Sequence, residues 1–197
     1  SRWKVLVFAL VTTIIFAPPL ELAARLANVW DVQSIFPRPF GLIPFENMLF
    51  AFINFFWGLS FYEYFVNGDV RRVFSKRFRY LVLLYAFMAV AAYALYFINP
   101  SLVRMNYFAL AVPVVIIPAV LIFSKKPQLI KKTVVPTVFF ALVFFIYEMV
   151  SLQVGSWWWP GEYAIPLSIG GKIFPLDDII IWYLISTPSL IGGYEFF

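Results

Sequence analysis

The chain alternates long apolar runs with short polar, proline- and glycine-containing connections. Residues 3–29 form a first span, A, entered past Arg2 and Lys4 and interrupted by Pro18-Pro19. Prolines kink a membrane helix but are tolerated where neighbouring helices re-satisfy the freed carbonyls. The connection from Asn28 to Ile43 carries Asp31, Pro37, Pro39 and Gly41 and reads as a loop. Span B starts at Pro44, a natural first helical residue, and runs to about Val66, where Asn67-Gly68-Asp69 ends it. Span C covers about 80–98 and stops at Asn99-Pro100, and span D covers about 105–123 with Pro113 and Pro118 inside. Span E covers about 133–152, a loop from Gly155 to Phe174 follows, and span F runs from Pro175 to the last residue. Each span holds roughly 19–27 residues, enough to cross a ~30 Å hydrocarbon core. The pattern predicts an all-α integral membrane protein with six transmembrane helices and no strands.

Two of these runs echo each other. Pro44-Phe45-Glu46-Asn47 opens span B and Pro175-Leu176-Asp177-Asp178 opens span F, and the spans close on Tyr62-Glu63-Tyr64-Phe65 and Tyr194-Glu195-Phe196-Phe197. Upstream, Glu21 stands nine residues before Trp30 and Glu148 nine before Trp157. A repeat at a separation of roughly 130 residues is the mark of a duplicated membrane unit. One membrane domain is expected, built of a first repeat (1–79, spans A and B), a linking span C (80–104) and a second repeat (105–197, spans D, E and F). Span D precedes E with no counterpart before A, so one further N-terminal helix is expected outside this sequence.

Composition agrees with the pattern. Apolar residues make up 63% of the chain, charged ones 13%, and the mean hydropathy is +0.87, against about 25% charged residues in a soluble domain. Without cysteine there is no disulfide or thiolate site, and without histidine the usual near-neutral base and commonest metal ligand are missing. No metal and no cofactor is expected. Eleven of the fifteen Lys and Arg residues precede A or lie between B and C or between D and E, including Arg71, Arg72, Lys76, Arg77, Arg79, Lys125, Lys126, Lys131 and Lys132. Arg38, Arg104 and Lys172 are on the opposite side. The positive-inside rule then places the basic segments in the cytoplasm of a multi-pass protein of the cell membrane. The charge of +5 reflects this topology, and no nucleic-acid partner is expected. The repeats come out parallel, related by an axis along the membrane normal.

Seven of the ten acidic residues lie in or at the ends of spans. A carboxylate at the centre of a membrane helix costs on the order of 2.5–3.5 kcal/mol, so each is a candidate functional residue. Glu21 lies seventeen residues past Lys4 and Glu148 sixteen past Lys132, or roughly 26 and 24 Å of helix. Both approach the level at which Glu46, Asp177 and Asp178 start their helices, so five carboxyls and Asn47 are expected in one outer layer. Glu63 and Glu195 fall about 26 Å deeper, paired with arginine or tyrosine. Each Pro-x-acid also suits a helix cap, but capping does not account for Glu21 or Glu148. Arg25, four residues after Glu21, is placed to neutralise it. Trp157-Trp158-Trp159 reads equally as an interface belt.

Carboxyls and aromatic faces in an apolar cavity suit a hydrocarbon that is protonated and must survive as a cation. There is no dinucleotide fingerprint, Walker loop or Asn-Asp-x-x-Asp motif, and span F has no lysine. The duplicated Glu…Trp…Pro-x-Glu-(Glu/Asn/Asp) arrangement resembles the lycopene cyclase domain family across nearly the whole chain. The resemblance implies a lycopene β-cyclase type activity on lycopene or a related acyclic carotenoid, with no net redox change. It implies Glu46 and Asp177 as motif acids, Asn47 and Asp178 in the second motif position, and Glu148 and Glu21 as further catalytic candidates. Asn47, Trp30, Trp157, Trp158 and Trp182 are the candidates for substrate contact. The chain departs from the family's Pro-x-Glu-Glu in both copies. A carotenoid hydratase and a proton-coupled transporter remain as alternatives, and a homo-oligomer is left open.

Overall fold

The computed structural model describes residues 2–68, 76–103, 109 and 111–196. Asp69, Arg71, Arg72, Arg104 and the start of the expected span D lie outside these residues. The chain is mostly helical. Helix α1 is Arg2–Leu26, α2 is Phe45–Phe65, α3 is Phe78–Ile98, and α4 is the apolar segment Val112–Lys125. Helix α5 is Gln128–Val154. The last helix, α6, comprises one turn (Leu176–Asp178), a wide π-helical stretch (Ile179–Ser186) and a regular part (Thr187–Phe196). Of these, α1, α3 and α5 are each long and apolar enough to cross a membrane. No side chain of α3 is buried, and Leu83, Leu84, Phe87 and Val90 face outward, as a lipid-facing helix requires.

The proline kinks are absorbed in a particular way. Pro18-Pro19 lies within a continuous α1, whereas two other prolines follow π-helical stretches. The π turn Val112–Ile116 ends two residues before Pro118, and Ile179–Ser186 ends two residues before Pro188. A proline lacks the N–H for its ladder bond, and its ring crowds the carbonyl four residues back. Widening the preceding turn relieves that contact, and in α6 it does so beside Asp178 and Trp182.

Helices α1 and α5 end alike. Asn28 and Gly155, each seven residues past a glutamate, take left-handed backbone at φ +58 and +72. The next residues, Val29 and Ser156, donate back to Ala24 and Ser151 at 2.8 and 3.0 Å. Gly155 adopts this conformation without a side-chain penalty, as at many helix C-termini. Each turn leads into a two-residue strand, β1 (Asp31–Val32) and β2 (Trp157–Trp158), and the two strands pair antiparallel, Val32 opposite Trp157. The expected loop beyond β2 contains a hairpin as well: β3 (Pro166–Ile169) and β4 (Lys172–Pro175) join through Gly170-Gly171, both at positive φ. The expectation of no strands is therefore corrected. A turn with two positive φ angles is open to consecutive glycines, and it closes a hairpin.

Helices α2 and α6 run in the same direction, since Asn47 and Asp178 at their starts line one cavity and Asn67 meets Glu195 where both end. Packing against α1 uses small residues: Ala9, Ala17 and Ala51 are buried around Phe55. Close approach of backbones through small side chains is how apolar helices gain contact in lipid, where burial itself offers no driving force. A second cluster of Val5, Phe8, Leu59, Tyr62, Ile191 and Tyr194 fills the opposite end.

Candidate active site

A cavity of about 50 Å³ lies where the ends of α1 and α5 meet the starts of α2 and α6. Four polar side chains reach it: Glu21 from α1, Asn47 from α2, Glu148 from α5 and Asp178 from α6. All four are at most 6% exposed. The rest of the wall is apolar and aromatic, including Phe16, Phe50 and Phe55.

Tryptophans close one end. Trp30 stacks on Trp157 at 6.3 Å and 16°, and Trp159 meets both edge-on at 6.2 and 5.9 Å. Trp182 completes the wall from the π-helical stretch. The strand pair explains which rings are used. Side chains alternate along extended backbone, so Trp157 and Trp159 face the cavity while Trp158 points outward, 40% exposed. Trp158 is thus not a cavity residue, and Trp159, which the sequence reading passed over, takes its place. Period-two alternation was the signal that would have found it.

Position two of each Pro-x-acid motif behaves differently from position one. Asn47 and Asp178 line the cavity. Glu46 instead turns to the preceding loop, where it accepts N–H groups from Ile35 and Phe36 at 2.5 and 2.8 Å and the Ser34 hydroxyl at 2.9 Å. Asp177 does the same, accepting the Ala164 N–H at 2.9 Å. Successive helical residues point about 100° apart, so the first residue of each pair, Glu46 or Asp177, ties down a loop while the second, Asn47 or Asp178, lines the cavity. The expectation that all five carboxyls share the cavity is corrected to three: Glu21, Glu148 and Asp178.

The two halves equip their glutamates differently. Glu21 accepts the Trp30 indole N–H at 3.2–3.3 Å and lies against the Asn47 amide. Arg25, expected on Glu21, forms its ion pair with Asp31 instead, and Arg38 grips the same Asp31 at 3.2 Å and the Val32 carbonyl at 2.6 Å. Glu148 has no such donor from Trp157. Its Oε2 and the Trp157 Nε1 are both buried without a hydrogen-bond partner among the described residues, and Asp178 lines the same cavity. Buried polar atoms left open at a cavity wall point to a ligand. Behind the aromatic wall, Tyr163 donates its hydroxyl to the Val29 carbonyl and accepts the Gly161 N–H at 2.9 Å. Burial and the nearby Asp178 and Asp177 push the Tyr163 hydroxyl up to about 12.

Glu63 and Glu195 stand apart. Asn67 donates to Glu63 at 3.1 Å and to Glu195 at 2.8 Å, with Tyr62 beside Glu195 and Tyr194 beside Glu63. No family model, curated protein or solved structure matches the chain. Among the described residues no cluster of His, Cys, Asp or Glu is arranged to hold a metal ion.

Proposed function

We propose that the protein is an integral-membrane carotenoid cyclase of the lycopene β-cyclase type, built of two parallel repeats in a six-helix bundle with its basic ends in the cytoplasm. The observation that carries this reading is one apolar cavity lined by three buried carboxyls, Glu21, Glu148 and Asp178, together with tryptophan rings. A carboxyl pair in apolar surroundings holds one proton between its members rather than two charges. In the proposed reaction the Glu148–Asp178 pair gives that proton to the terminal double bond of an acyclic end. The tertiary cation is attacked by the next double bond, which closes the ring and moves the positive charge onto it. Glu21, with the Trp30 N–H and the Asn47 amide beside it, takes the ring proton, and one proton in is balanced by one out. Indole faces stabilise the cation without capturing it, each worth about 1–2 kcal/mol where desolvated.

The test is pigment extraction from a lycopene-producing host that expresses the chain in its membranes. Ring-bearing products are expected. Hydroxylated acyclic products would replace the cyclase reading with a hydratase, and unchanged lycopene would overturn both in favour of a transporter.

A further inference from the structure

Phe16, Phe55 and Trp182 line the acid cavity. The same three side chains wall a second cavity of about 80 Å³ that runs between α1, α4 and α6 past Val115, Ser189 and Gly193. Leu81, Tyr85, Pro118 and Ile122 of this cavity also line a wide gap between α3 and α4, which reaches the level of Lys125 and Phe196. We propose that the three spaces form one tunnel that opens sideways to the lipid between α3 and α4, and that it holds an extended apolar chain whose end lies at Glu148 and Asp178. The proposal rests on reading the acid cavity as the place where that chain end reacts.

The wall makes no polar demand. Ser186 gives its hydroxyl to the Trp182 carbonyl, and Ser189 gives its own to the carbonyls of Ile185 at 2.6 Å and Val115 at 3.3 Å. Both hydroxyls are thereby spent on backbone, and a hydrocarbon strands no polar group there. Length fits as well. Asp178 and Phe196 are eighteen residues apart on one helix, on the order of 25 Å, which is most of the ~30 Å thickness of the hydrocarbon core. The route also follows from solubility. The Trp30–Trp157–Trp159 cluster covers one end of the acid cavity, whereas α3 buries no side chain and leaves its gap to α4 open. An apolar chain is dissolved in the bilayer and meets that opening first.

Gly193 offers the test. A Cβ placed there meets nothing nearer than Phe8 Cζ at 3.6 Å, so Gly193→Ala fits, while Gly193→Leu fills the passage. The full chain in membranes is photolabelled with a long-chain alkyl diazirine, and the labelled residues are mapped by mass spectrometry. Wild type and Gly193→Ala are expected to be labelled both at the mouth, on Tyr85 and Ile122, and inside, on Phe55 and Trp182. Gly193→Leu, and Ser189→Leu as an independent block, are expected to keep the mouth label and lose the inner one. Retained mouth labelling shows that the blocked variants are folded. Inner labelling that survives both blocks, or is missing from wild type, overturns the tunnel. Ring formation is scored separately: the labelling pattern without rings keeps the tunnel and removes the cyclase, and rings with unblocked labelling do the reverse.

Discussion

Asp177 and Asp178 are sequence neighbours with different surroundings, one facing the Ala164 N–H and the other the acid cavity. Their variants should separate accordingly. Asp178→Asn removes one carboxyl of the proposed proton donor and should lower ring formation by about 10²–10⁴-fold, the usual worth of a general acid. Asp177→Asn keeps an oxygen for the Ala164 N–H and should cyclise near the wild-type level, while Asp177→Ala should cost about 2 kcal/mol through the lost charge-assisted bond. Pigment analysis at equal amounts of inserted protein, with thermal unfolding alongside, checks all three. Tyr163 gives the pH dependence. In the unfolded chain a phenol titrates near about 10, whereas burial and the Asp178 and Asp177 charges hold Tyr163 neutral up to about 12 in the folded protein. Its stabilising contribution is therefore whole below about pH 10 and fades as pH rises from there through about 12. Alkaline unfolding should be steeper over that window in wild type than in Tyr163→Phe. Equal slopes would remove Tyr163 from the account.

At the scale of elements, what was legible depended on period. Spans B and E are recognisable in α2 and α5, because a long apolar run bounded by Pro44 or Gly155 has one local solution. The Glu-to-Trp spacing was legible too, and it leads to two like helix ends at Asn28 and Gly155. What escaped was short-range. Gly170-Gly171 signalled a two-residue hairpin turn, yet a hairpin amid so many aromatics looks like loop until Leu167 is seen opposite Phe174. The choice of Trp158 over Trp159 fails for the same reason, since alternation matters only once β2 is recognised as extended. Trp159→Ala should slow ring formation by about tenfold, the equivalent of one desolvated cation–π contact of about 1–2 kcal/mol. Trp158→Ala should leave it unchanged. Rates from membrane preparations with matched protein content decide between them, and equal losses would mean that the strand pair does not set which rings face the cavity.

The helices of the bundle are joined at both ends, and only one end carries the proposed chemistry. At that end the joint is the acid cavity under paired β1 and β2. At the other it is Asn67, whose amide bridges Glu63 at the end of α2 and Glu195 at the end of α6. Tyr62 and Tyr194 cross over to the carboxyl of the other helix, and Lys4 reaches the Tyr194 carbonyl at 3.1 Å. Two carboxyls at this distance from one amide would repel without it, so Asn67 is a tie whose loss leaves both acids facing each other. Asn67→Ala should lower stability by about 2–3 kcal/mol, from two hydrogen bonds to charged acceptors. Asn67→Asp should lower it further by adding a third carboxyl. Neither change should touch the reaction in protein that remains folded, because some 20 residues of α2, roughly 30 Å of helix, separate Asn67 from Asn47. Thermal unfolding in detergent and ring formation at a permissive temperature measure the two effects independently. A fully folded Asn67→Ala protein that makes no rings would mean that the Asn67 joint is part of the catalytic site, and that the division of the bundle into a reacting end and a holding end is wrong.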